Sequence, residues 1–99
     1  MILEFSGEAI WWRGPAPFIF IPVPAAESAE IKAISSRVTY GWGVIPVTVT
    51  IGDTTYTTSL FPKNGAYLVP IKKVVQTAEG VSVGDLVPIS LCIELAGDI

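Results

Sequence analysis

Three lysines carry the first chemical possibility in this 99-residue chain. Lys63, Lys72 and Lys73 make up half of the six basic residues, and a small β-fold that brings them together would offer a contact patch for phosphate or nucleic acid. Ordinary solvated turn and helix lysines account for the same residues. Sequence reading of a duplex draws on arginine at base edges, and only Arg13 and Arg37 are available. The second possibility is aromatic. Trp11, Trp12 and Arg13 are consecutive, and Trp42 stands between glycines in "YGWG" (40–43), where an indole could fold over a pocket mouth. Strand alternation turns Trp11 inward and Trp12 outward. A pocket lined by Trp12, Trp42 and Tyr67, with Arg13 or Arg37 at its rim, suits a small anionic or planar ligand. Tryptophans that plug the ends of a small barrel would read identically.

Catalytic chemistry has less to work with. The chain contains no histidine, which removes the commonest general base, the usual zinc ligand and every Ser-His or Cys-His relay. The hydroxyls of "TTYTTS" (54–59) are ordinary strand residues without an activating base. Asp85 follows Gly84 in a turn, where its carboxylate is expected to bind nearby backbone N–H groups, Asp53 is the hairpin-turn residue, and no two acids are spaced as a catalytic pair or metal cage. Cys92 is the single cysteine, so neither an internal disulfide nor CxxC chemistry is available. The expectation is a non-enzymatic protein without cofactor or metal.

The elements that position these residues follow from hydropathy. Residues 3–11 alternate, with Leu3, Phe5, Gly7, Ala9 and Trp11 on one face and Glu4, Ser6 and Glu8 on the other, as in a half-buried strand. "RGPAP" (13–17) is a turn, and "FIFIPV" (18–23) is an apolar run ended by prolines. Residues 25–35 change to a helical period that sets Ile31 and Ile34 on one side, with Ser28 as an alternative helix start. Residues 44–51 and 54–61 form a hairpin about Gly52-Asp53. "PKNG" (62–65) turns the chain into a strand over 66–69 that Pro70 closes, a helix over 72–79 stops at Gly80, and a strand over 86–95 completes the domain. The sum is a single mainly β domain over residues 1–99, a small double-split β-barrel of six or seven strands with two short helices. "FIFIPVPAAESAEIKAI" and "AYLVPIKKVVQTAEGV" share one grammar of strand, proline exit and helix, which duplication or reuse of a favourable connection would equally produce.

The chain is 51% hydrophobic and only 15% charged, against about 25% charged in an average domain, so self-association or a partner protein is expected to cover part of it. A net charge of −3 gives no global drive toward nucleic acid or anionic membrane. The longest uncharged stretch (14–26) is short and broken by prolines, too short to span a bilayer. Glu4 stands where a signal peptide would carry a basic start, and a soluble cytoplasmic protein is the expectation.

The stretch from Pro70 through Lys72, Lys73, Gly80, Gly84 and Asp85 resembles the core pattern of the AbrB/MazE-type regulators and antitoxins, in which two chains interlock to build a double-split barrel. Over nearly its whole length, through "AIWWRG", "FIFIPVP", "RVTYGWGVIPVTVTIGD", "YTTSLFPKNGAYLVPIKK" and "GVSVGD", the chain resembles a family of small prokaryotic domains of unknown function, found alone or joined to a bacteriocin-resistance-type domain. That resemblance implies the double-split barrel and carries no activity. The family pattern places an arginine near Gln76, where this chain departs from it. The two functional expectations are a binding or interaction module with an aromatic-lined pocket, and a DNA-binding regulator of the AbrB/MazE type.

Overall fold

A computed structural model describes residues 1–12, 18–34 and 45–93. Among these residues seven strands and two helices follow in the order β1 (Ile2–Glu8), β2 (Ile10–Trp12), β3 (Phe18–Pro22), α1 (Ala25–Ile34), β4 (Ile45–Ile51), β5 (Thr54–Lys63), β6 (Ala66–Ile71), α2 (Lys73–Glu79) and β7 (Leu86–Cys92). All pairings are antiparallel, in the order β1-β7-β4-β5-β6-β3-β2. The first and last strands of that order are separated in the chain by Ala9 alone, so the sheet curls until its two ends meet in one segment.

Two segments turn the corners. The first runs on β7 from Ile2 to Glu8 and on β3 from Ile10 to Trp12, with Ala9 held at the bend by its N–H to the Asp85 carbonyl and its carbonyl to the Gly84 N–H. The second is β5, which pairs with β4 from Thr54 to Leu60 and with β6 from Phe61 to Lys63. Between these corners lies the core, built from the inward set of each strand: Ile19 and Ile21, Ile45 to Ile51 at every second residue, Leu60, Tyr67, Val69 and Ile71, and Val87 to Ile93 at every second residue. Ile31 of α1 is completely buried against it and Ile34 partly so. No helix among the described residues is long and apolar enough to cross a membrane.

The two strand-proline-helix units are related by geometry as well as by grammar. Aligning Pro22 on Pro70 sets Ile21 on Val69, and those two residues face each other in the β3–β6 ladder. Aligning Pro46 on Pro88 sets Val49 on Leu91, and those two face each other in the β4–β7 ladder. A ladder in which a residue faces its own equivalent maps onto itself by a two-fold rotation, as in an isologous dimer interface. Even a side-chain detail repeats: the Ser28 hydroxyl donates to the Val23 carbonyl, and the Gln76 amide donates to the Ile71 carbonyl, each from the same helix position to the same strand end. The chain thus comprises two similar halves, β1 to β4 with α1, and β5 to β7 with α2.

Local departures from the sequence reading have local causes. β6 does not stop at Pro70 but continues to Ile71. Pro70 pairs with Phe20 while its carbonyl points away, to the Tyr56 hydroxyl, so the missing N–H faces the same side and takes no rung from β3. Pro62 and Lys63 belong to β5, and the turn is only Asn64-Gly65, both with positive φ as a two-residue hairpin turn demands. Helix α1 starts at Ala25, and Ser28 lies buried inside it. α2 begins one residue later than read, at Lys73, with Lys72 in an extended cap and Gly80 closing the helix. Of the final strand, Glu94 and Leu95 lie outside the described residues.

Candidate functional site

On the outer side of the β3–β6–β5 half, Phe20, Phe61, Pro62, Lys63 and Leu68 are the described residues lining a cleft of about 380 Å³. Register explains the set. Leu68 stands between Pro22 and Phe61 across three strands, and Phe20 stands opposite Pro70 beside them. The rings of Phe20 and Phe61 meet edge to face, with centroids 6.1 Å apart and planes at 81°, an arrangement suited to the aromatic quadrupole. Phe20 is nearly closed off, whereas Phe61 keeps 44% of its surface open and forms the accessible wall. Lys63 lies exposed at the β5 tip, directly before the Asn64-Gly65 turn.

The expected site residues fall in different places. Tyr67 does not line the cleft among the described residues: it is buried in the core, because it and Leu68 are neighbours on one strand and so face opposite sides. Trp12 ends β2 opposite Phe18, but its side chain, together with Arg13, Arg37 and Trp42, lies outside the described residues. By backbone register Trp12 holds on β2 the place that Lys63 holds on β5: Ile10 corresponds to Phe61, Trp11 to Pro62 and Trp12 to Lys63. Trp11 keeps the inward register opposite Ile19 yet is 52% exposed, correcting the expectation that it is buried. Glu8 opposite Leu86 is the last rung on β7, which begins there, so by Trp11 the strand has passed the sheet that would cover an indole.

The lysines are divided. Lys63 lies opposite Ala66 at one end of β6, and Lys72 and Lys73 follow Ile71 at the other, roughly 20 Å along the strand. Lys72 Nζ sits 5.8 Å from the centre of the Tyr56 ring, a cation–π contact at the start of α2. The Tyr56 hydroxyl donates to the Pro70 carbonyl at 2.9 Å, and burial pushes its ionisation well above the usual phenol range. At the far end of α2 the Thr54 hydroxyl donates to Glu79 Oε2 at 2.6 Å. These contacts tie α2 to β5 across the opening between β5 and β6. Cys92 is a free, half-buried thiol.

The sequence reading centred on the tryptophans and did not name Phe20, Phe61 and Leu68, which line the cleft. A signal was present: Leu60 must point inward to continue the hairpin face, so Phe61 must point out beside the outward set of "FIFIP". A second depression of about 420 Å³ runs along Glu4, Phe5, Ser6, Thr50, Gly52, Pro88, Ile89 and Ser90, and it is shallow and polar by comparison.

Residues 5–91 match the model of a family described as Domain of unknown function (DUF1905), and the chain belongs to that family. No curated protein matches the chain.

Proposed function

For this member of the DUF1905 family we propose a non-enzymatic binding module that acts by occupancy of the aromatic cleft. The observation that carries the reading is the outward pair Phe20 and Phe61, which with Pro62 and Leu68 forms an apolar hollow the core does not need. Core side chains of this fold point between the two corners, whereas these point away from it. A hollow of about 380 Å³ is in the range of small-molecule sites. Affinity would come from burying ring surface against the phenylalanines, worth about 25 cal/mol per Å² of apolar area.

The test is a titration of nitrogen-15-labelled protein with neutral fused-ring fragments such as 2-naphthalenemethanol. The reading expects shifts concentrated at the Phe20, Phe61 and Leu68 amides and their loss in Phe61→Ser. Shifts scattered over the surface, or none, overturn it.

A DNA-binding regulator of the AbrB/MazE type is the alternative expectation. It would draw on Lys63, Lys72 and Lys73, and the length of β6 between them works against one continuous contact. Salt-sensitive movement at these lysines on adding mixed-sequence duplex would reverse that preference. Self-association, or a partner protein, draws support from exposed Trp11, Val83 and Leu86 near the Ala9 corner. A mass that rises with concentration in light scattering is the outcome expected for a second copy.

A further inference from the structure

The two halves of the chain pair with each other more than either pairs with itself. Of the six ladders among the described residues, four cross between the halves: β1–β7, β3–β6, β4–β5 and β4–β7. Only β2–β3 and β5–β6 stay within one half. Either half alone would therefore leave most of its strand edges without backbone partners. The ladders centred on Ile21–Val69 and Val49–Leu91 have the geometry of an isologous interface, which a second copy of the chain satisfies as well as the first. A single connection keeps both halves in one barrel, the two-residue turn Gly52-Asp53 between β4 and β5. Closing that turn has a strict requirement: Gly52 has a φ of +57°, and a Cβ built there would run into the Glu79 carboxylate. Opening it has none. The rungs run in step from Ile45–Leu60 to Ile51–Thr54, so an extended turn sets Gly52 opposite Asp53 of a second copy, and β4 continues into β5 without a change of register.

We propose that the partner of this chain is a second copy that exchanges halves with it through an open Gly52-Asp53 hinge. Each of the two barrels then takes β1 to β4 with α1 from one chain and β5 to β7 with α2 from the other. The cleft becomes a shared site, with Phe20 from one chain and Phe61, Pro62 and Leu68 from its partner. Closed and exchanged forms make the same ladders and bury the same core, so chain concentration decides between them. A short connection holds the two halves at an effective concentration in the millimolar range, and exchange competes as the chain itself approaches that range.

The experiment places a covalent mark across one ladder between the halves. Glu4 and Ser90 face each other in the β1–β7 ladder, one from each half. The full chain carrying Glu4→Cys and Ser90→Cys, with Cys92→Ser to remove the native thiol, is unfolded in urea and refolded at roughly 10 μM and at roughly 1 mM. It is then oxidised in air and run on a denaturing gel without reductant. Closed chains hold the disulfide within one chain and run as monomers, whereas exchanged chains hold it between two and run as covalent dimers. The expected result is monomer at the lower concentration and about a tenfold larger dimer share at the higher. Protein refolded at the lower concentration and concentrated only before oxidation should stay monomeric, and an equal dimer share there would overturn exchange in favour of collisions between folded chains. Deleting Gly52 and Asp53 removes the turn, and that variant should be dimeric by light scattering at every concentration. A folded monomer from the deletion overturns the proposal. So does a dimer in solution whose disulfide lies within one chain, which marks association side by side. Should the deletion variant fail to fold, the concentration series with the intact turn decides, and monomer at both concentrations overturns the exchange. No ligand enters these measurements, so their outcome is independent of what the cleft binds.

Discussion

The two halves of this chain close the same kind of opening in opposite ways. In the first half β1 lies hard against β3: a Cβ built on Gly7 would come within 2.5 Å of Ile21 Cγ2 and 2.9 Å of the Pro22 carbonyl oxygen. In the second half the equivalent proline is Pro70, and its carbonyl accepts from the hydroxyl at the end of the long Tyr56 side chain of β5, with Lys72 over the ring. One opening is shut by a missing side chain and the other is propped by a large one. Where the two halves must build the same barrel, their residues agree in kind: Ile21 and Val69, Pro22 and Pro70, Val49 and Leu91. At the strand tips they do not: Ile10 against Phe61, Trp11 against Pro62, Trp12 against Lys63. Agreement falls in the ladders that join the two halves, and divergence falls at the strand tips.

The comparison breaks most visibly in the core. Leu60, fully buried at the second corner, stands at the last rung of β5 on β4. Leu60→Ala should cost about 3 kcal/mol, through lost transfer energy and the cavity left behind, read as a lowered midpoint in urea with little change in slope. Gly7→Ala should follow at about 2 kcal/mol, because one of the two close atoms belongs to backbone and cannot rotate away. A Gly7→Ala variant as stable as wild type would show that the first opening can widen like the second, and the contrast between them would fall.

Tyr56→Phe tests the propped opening and should cost about 1 kcal/mol, the net worth of one hydrogen bond whose acceptor is left without its donor. It also has a pH signature. Burial raises the phenol's ionisation in the folded chain above its unfolded value. The unfolded chain then loses that proton first as pH rises, so the contribution is complete below pH ~10 and is lost above it. Tyr56→Phe should flatten part of the alkaline fall in melting temperature. An unchanged alkaline limb would mean that Tyr56 is not held in this opening.

Much of this fold was legible because alternation and turn chemistry are local. The faces of residues 45–51 and 87–93, the Gly52-Asp53 turn and the glycine end of α2 need only neighbours in the chain to be read. What escaped reading depends on partners distant in sequence. The end of the covering sheet at Leu86 decides that Trp11 is open. The direction of the Pro70 carbonyl decides that β6 continues. The cleft escaped for the same reason: "FIFIP" and "SLFPK" are unremarkable apart, and the ladder through Leu68 brings Phe20 and Phe61 together.

The smallest expected change in stability carries the sharpest test of the divergence. Phe61→Ile writes into β5 the residue that the first half carries at the equivalent place, Ile10. Phe61 keeps 44% of its surface open, so its burial is only partial, and a β-branched residue suits a strand. The loss of its edge contact with Phe20 should cost about 0.5 kcal/mol, within reach of a urea titration and far below the core variants. Binding of 2-naphthalenemethanol should fall by about tenfold, because the accessible ring wall of the cleft is gone. If Phe61 is instead a structural aromatic, the two effects exchange rank: stability falls by 2 kcal/mol or more, as for a buried phenylalanine replaced by a smaller side chain, and binding follows only as far as the fold is lost. The ratio of the two effects therefore separates a residue kept for the barrel from one kept for what the barrel holds.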